Sequence, residues 1–233
     1  MKKIFITLFA ALSFTSVTQA TYAEVFQLDK KTEKPIYILE LVEKKVGSNI
    51  EIESVFKLDD KPQLKESGKI NEATAEILEY KVTQLQTKEK GTVDVFDEKI
   101  RIKYEVEGKP EQIKEIKKPK VLVAPANFER WLKVNFEKLK KDKTTVIDFL
   151  IWDRMETLKF KVTYLGLNEE NGKKVHQFKM NIDNFLIASI ISPIKISMSE
   201  DMTKIQRFQG RLGVKAKDGE SYKNFDGDVI YFY

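Results

Sequence analysis

Apolar and polar residues alternate along much of this chain. Ile50, Ile52, Phe56 and Leu58 interleave with Glu51, Glu53, Lys57 and Asp59. Ile100, Ile102, Tyr104 and Val106 do so with Arg101, Lys103, Glu105 and Glu107, and Leu158, Phe160, Val162 and Tyr164 with Lys159, Lys161 and Thr163. A period of two means side chains pointing alternately to a core and to water, so these runs predict half-buried strands of an antiparallel sheet with one wet face. Turn-forming stretches separate the runs: residues 45–49, 59–68, 88–91, 108–110, 168–172 and 218–219. The spacing predicts about ten strands, mostly joined as hairpins, near 36–44, 50–58, 74–87, 92–106, 120–124, 144–151, 157–166, 173–181, 194–199 and 204–217, with 226–232 closing the chain.

Two segments leave this rhythm. Phe128, Trp131, Leu132, Phe136 and Leu139 recur at spacings of three and four between Asn127 and Lys141, which predicts one amphipathic helix capped by Asn127. Asp183 to Ile191 is apolar almost all round and stops at Ser192-Pro193, the pattern of a short buried helix. The expected fold is α+β and mainly antiparallel β: one curved, half-barrel-like sheet covered by two helices. Residues 36–233 read as a single β-rich domain, with the charged stretch Gly108–Lys118 as an internal linker.

Residues 1–23 have another logic. Lys2 and Lys3 precede an apolar run from Ile4 to Phe14, followed by the small-residue pattern Thr21-Tyr22-Ala23. These are the three regions of a secretory signal peptide, and the run is too short to cross a bilayer core that needs roughly 20 apolar residues. Export to the periplasm, or secretion, is expected, with cleavage after Ala23; Thr18-Gln19-Ala20 offers a second site. Residues 24–35 read as a flexible leader ending at Pro35.

Composition then removes chemistry. The chain has no Cys and a single His, so disulfides, thiol nucleophiles, zinc–sulfur and iron–sulfur sites fall away, and no cofactor is expected. A net charge of +5 over 233 residues is too weak a bias for a nucleic-acid partner. His176 shares a strand face with Phe178 and Met180, which suits a core imidazole better than a general base. Asp226-Gly227-Asp228 lacks the loop a calcium site needs and reads as a turn. Asp148, Asp153 and Glu156 surround Trp152, but nothing in the spacing pairs them for acid–base work. No catalytic or metal-binding residue is therefore assigned.

Helix Asn127–Lys141 leading to Thr145-Val146-Ile147-Asp148-Phe149, then Asn184-Phe185-Leu186 running to Ser192-Pro193-Ile194-Lys195-Ile196 and Arg207-Phe208-Gln209-Gly210, resembles a family of exported bacterial proteins of unknown function. More remotely, a signal peptide followed by an amphipathic sheet and covering helices resembles the LolA/LolB-type half-barrels that carry lipoproteins across the periplasm. That likeness implies a lipid or other hydrophobic group in the concave face of the sheet. Phe128, Trp131, Phe185, Leu186, Ile187 and Ile190 are the candidate residues for the ligand face or a lid. The expected function is non-enzymatic, with a lipid or an envelope protein as partner. Two alternatives stand beside it: an envelope hydrolase using Asp148, Asp153 or His176, and an envelope assembly or adaptor protein that pairs through a sheet edge.

Overall fold

The computed structural model describes residues 18–28, 30, 34–183 and 192–233. Among these the strands are β1 (Thr18–Gln27), β2 (Tyr37–Val46), β3 (Asn49–Leu58), β4 (Lys61–Asn71), β5 (Ile77–Gln84), β6 (Glu89–Val95), β7 (Lys99–Val106), β8 (Gln112–Lys117), β9 (Leu122–Val123), β10 (Thr144–Ile151), β11 (Glu156–Glu170), β12 (Lys173–Ile182), β13 (Ile194–Ser199), β14 (Ile205–Asp218) and β15 (Ser221–Phe232). Two helices, α1 (Pro125–Val134) and α2 (Phe136–Asp142), lie between β9 and β10, and one turn of 3-10 helix, Trp152–Arg154, follows β10.

All fifteen described strands form one sheet in the order β8-β7-β6-β5-β4-β3-β2-β1-β15-β14-β13-β12-β11-β10-β9. Every pairing is antiparallel except the short parallel one between β9 and β10. β1 lies in the middle of the sheet, and from it the chain meanders out to the β8 edge. It then passes to the opposite edge through residues 118–121 and meanders back until β15 lies beside β1. A link of that length reaches about 18 Å when extended, whereas fifteen flat strands would hold their edges about 67 Å apart. The sheet must curl, and its right-handed twist supplies the bend.

The curl brings the two arms together at specific contacts. Gly91 on β6 lies under Trp152, and a β-carbon there would sit 2.5 Å from the indole. Gly68 on β4 receives α1 in the same manner, its absent β-carbon leaving room for the methyl of Ala126. Across the sheet from β5, the bulge in β14 between Leu212 and Lys215 leaves backbone groups without ladder partners. Two glutamines supply them: Gln84 donates to the Gly213 carbonyl at 2.8 Å, and Gln86 both accepts from the Lys215 amide (2.8 Å) and donates to its carbonyl (2.9 Å). That is why Gln84 is fully buried amid apolar side chains.

Several elements differ from the sequence expectation. The single helix over 127–141 is two, because Asn135 leaves the helical conformation at φ −97°, ψ 10° and its side chain bonds the Trp131 carbonyl at 2.9 Å. Asn127 is not the cap residue but lies in the first turn, where its Oδ1 accepts from the Ala124 amide (2.6 Å) and its Nδ2 donates to the Ala75 carbonyl (2.9 Å). Pro125 starts the helix, a position that needs no donor. The expected turn at 59–68 is mostly β4, where Pro62 and Gly68 imitate loop chemistry. The expected linker Gly108–Lys118 contains the edge strand β8, whose side chains other than Ile116 face solvent and so carry no apolar period. The leader expected over 24–35 begins as strand: Glu24–Gln27 belong to β1, with Ala23 and Val25 at 0% exposure. The count of about ten strands rises to fifteen among the described residues. The expected helix over 183–191 falls at 184–191 outside the described residues.

The core forms two clusters. One runs from β1 to β7 with parts of β10, β14 and β15; the other packs β10–β14 against the helices around Leu132, Leu139 and Phe178. Trp131 belongs to the second, stacked on Phe128 with ring centroids 6.5 Å apart. Replacing Trp131 by Ala is expected to lower stability by about 3–5 kcal/mol through the cavity left behind, measured as the shift between denaturant unfolding curves.

Candidate functional site

Because the sheet curls around α1 without filling completely, a cavity of about 390 Å³ remains between the concave face and that helix. Its walls come from both arms and the elements between them: Leu39 and Phe56 from the N-terminal arm, Phe160 and Phe208 from the C-terminal arm, Phe128 from α1 and Trp152 from the 3-10 turn. The volume is that of a small-ligand site, and the lining is mostly apolar with a few polar groups.

The sequence-derived candidates fall in different places. Phe128 lines the cavity, whereas Trp131 is packed in the core behind it. Phe185, Leu186, Ile187 and Ile190 lie outside the described residues; Ile182 before them and Ser192 and Ile194 after them line the cavity. His176 is buried as expected. Its Nε2 donates to the Glu200 carbonyl (3.1 Å), which leaves Nδ1 to accept from the Tyr164 hydroxyl (2.8 Å). Asp148 is ion-paired with Lys159 at 3.2 Å, and Asp153 is exposed on the 3-10 turn, where it contributes to the cavity wall. Asp226 and Asp228 are each held by an arginine, Arg211 and Arg207, and Glu170 joins Arg207 from the other side at 2.6 Å. Burial raises the Glu170 pKa, but hydrogen bonds from Ser197 and Arg207 outweigh it and hold the carboxyl below its usual range.

One polar feature of the wall has no counterpart in the sequence reading. Glu66 occupies an inward position of β4, in line with Leu64, Gly68 and Ile70. Its Oε1 accepts from the Tyr80 hydroxyl at 2.5 Å and its Oε2 from Ser54 at 3.3 Å. Ser54 stands directly across from it on β3, and Tyr80 sits diagonally on β5. Desolvation raises the Glu66 pKa, and the two hydroxyl donors offset only part of that. Tyr80 is pushed well up by its own burial and by the Glu66 charge. Glu43, also on the cavity wall, is likewise raised, by burial and by the nearby Glu129 carboxylate. The available signal for Glu66 was a Glu on an otherwise apolar face, Leu64-x-Glu66-x-Gly68-x-Ile70, but Gly68 disguised the strand.

No protein-family model and no curated protein matches the chain. Among solved structures, one described as a beta-barrel-like protein of a domain of unknown function, DUF1849, from Brucella abortus is similar to it with a TM-score of 0.45 and 10% sequence identity, covering 91% of this chain and 98% of that one. No described helix is long and apolar enough to cross a membrane.

Glu66 yields a test through pH. A carboxyl whose folded pKa is raised adds stability only while it is protonated, and that stability is lost as pH rises through the folded value. Glu66→Gln, which keeps the shape and cannot ionise, is therefore expected to gain in melting temperature relative to wild type on going from about pH 4 to about pH 7. A difference that stays constant over that range would contradict a raised pKa at Glu66.

Proposed function

We propose that this protein is a non-enzymatic binder or carrier of a lipid or similar apolar group, acting after export in the periplasm. The cavity of about 390 Å³ between both arms and α1 carries the reading, because a wall of mostly aromatic and aliphatic side chains offers an apolar molecule a surface that removes it from water. The likeness of the sequence pattern to half-barrel lipoprotein carriers supports the same function. Lipid extraction and native mass spectrometry of protein purified from the periplasm are expected to find a co-purifying apolar molecule. Leu41→Trp, which places an indole in the cavity, is expected to weaken binding of a hydrophobic fluorophore by about tenfold while the protein stays folded. Absence of any such molecule together with no fluorophore binding by the wild type would overturn the proposal.

Export brings a constraint on processing. Thr21, Ala23 and Val25 of β1 point into the core, and Tyr22 to Val25 are paired on both sides, with β2 and with β15. Cleavage after Ala23 would strip Leu39–Leu41 of β2 and Tyr231–Phe232 of β15 of their partners. Cleavage after Ala20 keeps them. Mass measurement of the mature N-terminus is expected to find Thr21 first, and a mature chain starting at Glu24 would refute this choice.

A further inference from the structure

We propose that the occupant of the cavity is an amphiphile whose polar end carries a cationic nitrogen, and that Glu66 is the group that receives it. This rests on the reading of the cavity as an apolar-ligand site and adds the chemistry of the ligand's head.

The position of Glu66 is the starting point. On a strand whose neighbouring inward residues Leu64 and Ile70 are 1% and 0% exposed, a carboxyl is costly unless something uses it. Ser54 and Tyr80 orient it, but both are neutral hydroxyls, and between them they occupy two of the roughly four acceptor sites of a carboxylate. The carboxyl also lies where the arms meet: a β-carbon on Gly213 would be 3.8 Å from Oε1, so at this point β14 approaches it with backbone.

The remaining charges of the wall point the same way. Arg211 is engaged by Asp226, Lys215 donates to Asn224 at 3.1 Å, and Glu129 is paired with Lys133 at 2.8 Å. Among the described lining residues Glu43, Glu66 and Asp153 form no ion pair, against Arg154 and Lys215 on the basic side. The excess is negative and is embedded in apolar surface. An ammonium head would gain charge-assisted hydrogen bonds in a weakly screened setting, while its chain lies against Phe56, Phe160 and Phe208. A carboxylate or phosphate head would meet the same acids as like charges.

Competition against the fluorophore N-phenyl-1-naphthylamine tests this with dodecylammonium, dodecanol and dodecanoate, which match in chain length and differ in the head. Wild-type protein is expected to release the fluorophore at an ammonium concentration about tenfold lower than for the alcohol, with dodecanoate weakest. In Glu66→Gln the advantage of the ammonium over dodecanol, read as the ratio of their competing concentrations, should vanish. Equal or better binding of dodecanol or dodecanoate by wild type overturns the assignment without any variant, as does an ammonium advantage that survives Glu66→Gln. Fluorophore that fails to bind wild type at all overturns the apolar site itself, a result distinct from either.

Discussion

The link of residues 118–121 is the constraint from which the architecture follows. It joins the two outermost strands of a fifteen-stranded sheet, and a few residues of extended chain cannot bridge such a sheet laid flat. Closure is not completed by hydrogen bonds between β8 and β9. Each edge is instead blunted in its own manner, β8 by exposed charged residues such as Lys114 and Lys117, β9 by being only two residues long. The enclosed space is then filled by the segment that follows the link. Pro125 starts α1 immediately after β9, so the helix enters the interior that the link has forced into being.

Close approach of the arms depends on what is missing as much as on what is present. Where Trp152 reaches β6 and Ala126 reaches β4, only glycine leaves the needed space. Where the bulge of β14 faces the end of β5, Gln84 and Gln86 pair the stranded backbone groups, so the bulge bends the strand without leaving buried polar atoms unmet. The cavity exists because these contacts hold the walls at a set distance. Between them, the side chains of the concave face do not meet across the interior.

The candidate site was legible in part. Phe128 was found because helical spacing reports which residues face the sheet, and it does line the cavity. The same spacing could not tell Phe128 from Trp131, since both lie on the apolar face and only the neighbours of α1 decide which looks into space and which into packed core. Glu66 was missed because Pro62 and Gly68 read as loop. Pro62 sits beside a register shift in the β3–β4 pairing, and Gly68 is there for the helix, neither of which interrupts the strand. His176 was placed correctly because strand alternation and the company of Phe178 and Met180 determine burial locally.

Sequence by itself determined what depends on near neighbours in the chain: the antiparallel character of the sheet, the period of most strands, the apolar face of the helical segment, and the absence of thiol chemistry in a chain without Cys. It left undetermined what depends on residues far apart. That β1 is the central strand follows from pairing with β2 and β15, so the residues that look like the end of a signal peptide and the start of a leader are core only because the last strand returns beside them. Likewise the cavity and the isolation of Glu66 within it arise from two arms whose curvature is set by one short connection. A pattern of alternating residues specifies which face of each strand is apolar; how far apart two such faces come to rest is decided by closure of the whole sheet.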